Sequence, residues 1–169
     1  TLTVSCWFSS DVSIGGQVVL VEKDPGFVGN FLHFIDTNRI CAASSNFSSP
    51  TDVSIGTAVD TVVFGSTTLV PNKWYHFTST YQKISSTTKV SIYLNGILNS
   101  QATFAGVLDG DADGALIIGG RATVYLNGQI SDVRIYDRAL SNIEIEKLYQ
   151  STLRVDEYSS GTRINNGSI

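Results

Sequence analysis

The sequence predicts an all-β protein in which two antiparallel sheets pack face to face as a β-sandwich, with one short helix near the C-terminus. Three observations carry that prediction. Apolar residues recur at every second position almost from the first residue, as strands with one buried face require. Clusters of Gly, Pro, Asn and Asp cut the chain into segments of strand length. A single helical start signal occurs, and it comes late.

In the first segment Leu2, Val4, Cys6 and Phe8 alternate with Thr3, Ser5 and Trp7, so a strand opens the chain. Strands follow at Val18–Glu22, Phe31–Ile35, Arg39–Ala43 and Val59–Phe64, interrupted by Gly15-Gly16, Asp24-Pro25-Gly26, Asp36-Thr37-Asn38 and the stretch Ser44–Gly56. In the next strand Tyr75, Phe77 and Tyr81 share one face, and Trp74, His76, Thr78 and Thr80 share the other. A polar loop is expected at Lys83–Thr88, after which Val90, Ile92 and Leu94 alternate with Lys89, Ser91 and Tyr93. Asn95-Gly96 signals a tight hairpin, because both central residues of a type I′ turn need positive φ. It returns the chain into Ile97–Phe104, and further strands are expected at Ala115–Gly119 and Gln129–Tyr136.

Ser141 and Glu144 form a capping box, and Ile145, Leu148 and Tyr149 fall on one helical stripe. A helix reaching to Gln150 and lying against one edge of a sheet is expected. Residues 1–150 are thus one domain and 151–169 a tail or linker. Tyr-Leu-Asn-Gly occurs at Tyr93–Gly96 and Tyr125–Gly128 within unrelated flanks, so it reads as recurring hairpin chemistry and not as an internal repeat.

At 169 residues, 42% hydrophobic and 15% charged, the chain has the size and composition of one folded domain. Its net charge is −4 and its 11 Lys and Arg are spread singly, which argues against a nucleic-acid partner. No apolar run approaches the ~20 residues of a membrane-spanning helix, so direct insertion into a membrane is not expected. The lack of a Met or a leader at Thr1 suggests a mature segment or a piece of a larger chain. Cys6 and Cys41 admit either one disulfide or two buried thiols. The sequons Asn46-Phe47-Ser48 and Asn166-Gly167-Ser168 favour a secreted or surface protein.

Several strings resemble the laminin-G-like domains of the concanavalin A-like lectin and glucanase superfamily: Asn72–Phe77 with Tyr81, Val90–Gly96, Leu116–Gly120 and Asn127–Ser141, continued by Glu144, Ile145, Leu148 and Tyr149. Thr3–Phe8 resembles an early strand of the same domains. The resemblance implies a jelly roll and covers nearly all of residues 1–150. It also implies a first strand ahead of Thr3–Phe8, whose place the C-terminal stretch Leu153–Tyr158 would fill if nothing upstream does. Its members range from lectins and carbohydrate-binding modules to matrix modules, enzyme appendages and viral surface proteins, so fold alone does not choose a function.

The sharpest chemical pattern is Asp109-Gly-Asp-Ala-Asp-Gly114. Alternate carboxylates followed by a glycine match the opening of a calcium loop, so Asp109, Asp111 and Asp113 are metal candidates and calcium the cofactor implied. Gly120 stands where the closing glutamate of an EF-hand would be, and an acidic turn without metal is the competing reading. Asp132 lies two residues from Arg134, which favours an ion pair; the resemblance makes it a further calcium candidate. The family's hydrolases set paired acidic residues on one strand. Here Glu22, Glu144, Glu146 and Glu157 are the only glutamates and make no such pair, and His33 and His76 read as structural, so no catalytic residue is assigned.

Aromatic rings are the natural platforms for sugars. Most, including Trp74, Tyr75, Tyr81 and Tyr136, are expected in the core. Tyr93, beside Lys89 and Ser91, and Tyr125, near Arg121 and Asn127, are the expected exposed contacts. The resulting reading is a non-catalytic binding module for glycans or a protein partner, located extracellularly, on a cell surface or on a virion. Its rim loops Asp24–Asn30, Ser44–Gly56, Leu108–Gly114 and Arg121–Asn127 would carry specificity. A structural or assembly domain of a viral or bacterial surface protein is the first alternative, and a glycan-cleaving enzyme or its accessory domain the second.

Overall fold

The structure, a computed structural model, describes residues 1–23, 31–44, 62–105, 115–121 and 124–159. In chain order these form β1 (Leu2–Ser10), β2 (Gln17–Lys23), β3 (Phe31–Asp36), β4 (Arg39–Ser44), β5 (Val62–Phe64), β6 (Tyr75–Ile84), β7 (Thr87–Leu94), β8 (Ile97–Ala105), β9 (Leu116–Ile118), β10 (Gly120–Arg121), β11 (Val124–Tyr125), β12 (Gly128–Tyr136) and α1 (Asn142–Ser159). The first sheet runs β12-β1-β6-β7-β8 and the second β5-β4-β3-β2-β9; β10 and β11 form a separate small hairpin. Every pairing is antiparallel, giving the expected sandwich.

Alternation decides which side chains fill the interior. Val4, Cys6 and Phe8 of β1, Tyr75, Phe77 and Tyr81 of β6, and Val90, Ile92 and Leu94 of β7 meet Val18, Leu20, Phe31, Ile35, Ile40 and Ala42 of the second sheet. Each fully buried large side chain of this kind contributes about 1.5–3 kcal/mol by leaving water. The Tyr81 hydroxyl crosses between the sheets, donating to the carbonyls of Leu32 (3.2 Å) and Ala43 (3.1 Å). On the outer side of the second sheet the alternate residues Val19, Leu32, Phe34, Cys41 and Ala43 make another buried cluster. Cys6 and Cys41 therefore lie in different layers, and both are free thiols.

Turn chemistry matches the residues present. Thr37 and Asn38 (φ 48° and 58°) reverse β3 into β4, and Asn95 and Gly96 (φ 52° and 79°) reverse β7 into β8. The Asn95 side-chain carbonyl accepts the His76 N–H at 2.9 Å, fixing the second turn to β6. The expected polar loop at Lys83–Thr88 is mostly strand: Ile84 pairs with Thr87, leaving a two-residue turn in which Ser85 takes φ 56°. In β12, Asp132 and Val133 together stand opposite Cys6, a bulge in which Asp132 adopts φ 49°.

The helix departs from expectation in length and place. Its capping box forms, with Glu144 accepting the Ser141 N–H at 2.8 Å. It then continues through Ser159 and lies across the outer face of the first sheet, not along an edge. Leu140, Ile145 and Leu148 pack on Tyr93, and Thr152 is buried against Trp7. Residues 153–158 are thus helical and add no strand; β1 already has β12 and β6 on its two sides. The remaining tail lies outside the described residues.

Candidate functional site

At one rim of the sandwich the chain leaves β9 and folds into the β10–β11 hairpin. Gly119 supplies the left-handed step (φ 84°); its N–H donates to the Leu20 carbonyl and its own carbonyl accepts the Leu126 N–H, both at 2.9 Å. The first bond pins the hairpin to β2, and the second closes its base. Gly120 pairs with Tyr125, and a Cβ there would fall 2.5 Å from Cδ1 of the tyrosine ring. Glycine is therefore what lets the ring lie against the main chain. The rest of the ring is open, and Tyr125 is 68% exposed.

Exposed Asn127 follows two residues later, with its carbonyl accepting from the Asp11 N–H (2.8 Å) and the Ser10 hydroxyl (3.4 Å). The segment carrying both side chains is consequently braced on two strands, as a binding surface built from a loop requires. Leu116, Ile118 and Val124 add exposed apolar surface on β9 and the hairpin. Sequence reasoning missed these three because strands of two or three residues carry no readable period.

Of the expected contacts, Tyr125 and Asn127 come together here, and Arg121 pairs through its backbone with Val124. Tyr93 does not belong with them. It shares its face with Ser91 as expected, yet α1 covers that face, leaving Tyr93 only 5% exposed with its hydroxyl donating to Asn142 Oδ1 at 2.8 Å. The strand pattern gave the face correctly and could not show what lies on it.

Asp132 accepts from Arg134 Nε at 2.7 Å, the ion pair that their spacing suggested. A carboxylate already facing a guanidinium is a poor cation ligand, and among the described residues no three His, Cys, Asp or Glu side chains gather as a metal site. Asp109, Asp111 and Asp113 lie outside the described residues, as do the loops Asp24–Asn30, 45–56 and Leu108–Gly114.

Both histidines are buried. His33 stacks on Phe77 with 3.5 Å between ring centroids, while Nδ1 lies 2.9 Å from Ser79 Oγ and Nε2 lies 3.5 Å from Cys6 Sγ. Burial holds its pKa well below the ordinary value, with His76 adding to the effect. The same burial pushes the Cys6 thiol up, with Asp132 adding to it, so this contact joins neutral groups and no thiolate nucleophile forms. Cys41 is pushed up to about 12, chiefly by burial. Glu144, by contrast, is held down to about 2 by the Arg138 guanidinium and by Ser141.

The sandwich topology and the strings that form it have a counterpart among known families. The model of the concanavalin A-like lectin/glucanases superfamily termed Laminin_G_3 matches residues 1–146. The chain belongs to that superfamily.

Among solved structures, this concanavalin A-like domain resembles the receptor-binding domain of botulinum neurotoxin type G, with a TM-score of 0.66 and 16% identity, covering 89% of this chain and 38% of that one. It also resembles a sialidase from Trypanosoma rangeli in complex with 2,3-difluorosialic acid, with a TM-score of 0.58 and 18% identity over 89% of this chain and 23% of that one. The CBM40 of an IT-sialidase from Ruminococcus gnavus, bound to α2,3-sialyllactose, gives a TM-score of 0.63 and 12% identity over 88% of this chain and 82% of that one. The chain thus spans less than half of the first protein and under a quarter of the sialidase. At these identities the likeness is one of fold. No curated protein matches the sequence.

Proposed function

We propose that this domain is a non-catalytic glycan-binding module that works at a surface outside the cell or on a particle, with Tyr125 as the ring on which a sugar stacks. The observation that carries the reading is the open tyrosine ring on a hairpin whose backbone is fixed by Gly119, Gly120 and Asn127. A rigid ring presents a large flat surface while losing little side-chain freedom, and Asn127 beside it supplies amide donors and an acceptor for hydroxyls. The fold's likeness to a sialyllactose-bound CBM40 supports a carbohydrate over other ligands.

A catalytic role has weaker support. Among the described carboxylates, Glu144 is bound to Arg138, Asp132 to Arg134, and Asp36 accepts from Thr37. Acid and nucleophile work needs two carboxyls facing one cleft about 5–10 Å apart.

Glycan-array binding tests the proposal. Saturable hits that vanish in Tyr125→Ala, with thermal melting unchanged, are expected; hits unaffected by that change would remove Tyr125 from the site. A second reading, assembly through side-chain surface, is favoured by exposed Leu116, Ile118 and Val124. Uniform silence on the array together with a concentration-dependent mass in light scattering would select it.

A further inference from the structure

The outer face of the first sheet is built unlike the interior. Beneath α1 it presents Ser5, Trp7, His76, Thr78, Ser91 and Tyr93, all buried and mostly polar. Two of its buried polar atoms, His76 Nδ1 and Thr78 Oγ1, have no hydrogen-bond partner among the described residues. Such atoms weaken an interface, since each has given up water without replacement.

The attachment of α1 is also separate from the sandwich core. Leu140, Ile145 and Leu148 pack on Tyr93 in a cluster that the sheet itself divides from the interior. Its other ties among the described residues include two single hydrogen bonds, Trp7 Nε1 to Thr152 Oγ1 (2.9 Å) and the Tyr93 hydroxyl to Asn142 (2.8 Å), and the ring of Tyr149 stacked on Trp7 with 5.6 Å between centroids. An element held this way opens as a unit without opening the sheets.

His76 sits at the seam. Its ring centroid is 5.2 Å from that of Trp7 and 5.8 Å from that of Tyr149, and Nε2 lies 3.0 Å from Ser5 Oγ. The charged groups facing it come from β12: Asp132, which favours a proton on His76, and Arg134, which opposes it, paired with one another. Across the seam β7 brings Tyr93, α1 brings Tyr149 and β1 brings Ser5 and Trp7, so no further carboxylate faces the ring among the described side chains. The Asp132–Arg134 pair largely cancels, and burial dominates.

We infer that α1 is an acid-released latch: protonation of His76 puts an uncompensated charge beneath the helix, and the helix leaves the sheet while the two sheets stay packed. Burial, against the pull of Asp132, draws the pKa of the docked histidine down from 6.5 to about 4. An undocked, hydrated histidine titrates near its ordinary ~6.5. Docking is therefore strongest above the higher value and weakens as pH falls towards the lower one, where its equilibrium constant is on the order of 100-fold smaller.

Hydrogen exchange read by mass spectrometry on the whole chain, with exchange times corrected for pH, tests this directly. Between pH 7 and pH 4 the α1 peptides are expected to lose about 100-fold of their protection through opening of the helix alone, and to stay less protected than peptides from β2 and β3, whose protection follows the global stability of the sandwich. His76→Gln should leave α1 protection independent of pH over the same range. Should that variant dock poorly even at neutral pH, the imidazole resonance of His76 in the unaltered protein provides the second readout, and its titration must track the loss of α1 protection. Helix and strands sharing one level of protection as the pH falls, a helix still protected at pH 4, or a His76 titration out of step with helix release would each overturn the latch.

Discussion

Trp7 and Thr152 are joined by a hydrogen bond of 2.9 Å between the indole N–H and the threonine hydroxyl, linking β1 to the fourth turn region of α1 across 145 positions of sequence. The threonine is buried, and its hydroxyl donates back to its own helix, at the carbonyls of Leu148 (2.9 Å) and Tyr149 (3.0 Å). Thr152→Val keeps the shape and removes the acceptor, stranding a buried indole N–H. A loss of about 1–3 kcal/mol in denaturant unfolding is expected. An unchanged midpoint would mean that the helix is not anchored there.

Tyr93 and Tyr125 should separate cleanly by experiment. Truncating buried Tyr93 to Ala opens a cavity beneath α1 and is expected to cost about 3–5 kcal/mol, whereas Tyr93→Phe keeps the ring and loses the hydroxyl's bonds to Asn142, Ser91 and Thr80, about 1–2 kcal/mol. Tyr125→Ala, on an open ring, should stay within about 0.5 kcal/mol of the parent. Thermal melts of the three variants decide the matter; equal destabilisation at both positions would contradict the burial described.

Gly128, at the start of β12, touches the main chain of β1. A Cβ there would overlap the Ser9 carbonyl oxygen and approach Ser10 Cα at 2.9 Å, and backbone atoms cannot swing aside. Gly128→Ala is expected to destabilise the protein by about 3 kcal/mol, at the upper end of ordinary overpacking. Chemical denaturation measures it, and a neutral result would require the β1–β12 pairing to be looser than its register implies.

Acid should weaken the sandwich itself through His33. Its folded pKa lies below the ordinary value, so the unfolded chain binds the proton first as pH falls. Stability is then complete above ~6.5 and declines below it by about 1.4 kcal/mol per pH unit for each histidine so buried. Urea titrations at pH 7.5, 6.0 and 5.0 should show that decline, and His33→Gln should flatten it by one proton's worth. A stability profile flat from pH 7.5 to 5.0 would contradict the interior placement.

Much of this molecule was legible in its residues. Val90, Ile92 and Leu94 point inward as their spacing says, Asn95-Gly96 makes the turn its φ requirement dictates, and Ser141 with Glu144 starts the helix. What escaped depends on neighbours. The second Tyr-Leu-Asn-Gly string ends not in a hairpin turn but in Gly128 pressed against β1, because the surrounding chain and not the string decides the backbone. The helix runs past Gln150 since Thr152 finds Trp7, a partner at the far end of the sequence. Of the candidate site, Tyr125 and Asn127 followed from loop position, while the burial of Tyr93 followed from a helix whose docking face strand periodicity does not encode.

The bulge at Asp132 bears on how these molecules meet one another. β12 is the outermost described strand of its sheet, and a regular outer strand is a template on which another chain can extend the ladder. Here two residues stand where one belongs, the backbone at Asp132 turns left-handed, and the carboxylate and guanidinium of Asp132 and Arg134 occupy the same stretch. An incoming strand would find its hydrogen bonds interrupted and a charged pair to displace. Crowding at high concentration therefore favours contacts through side chains over fusion of sheets, which keeps a strand-rich, weakly charged protein from polymerising along this border.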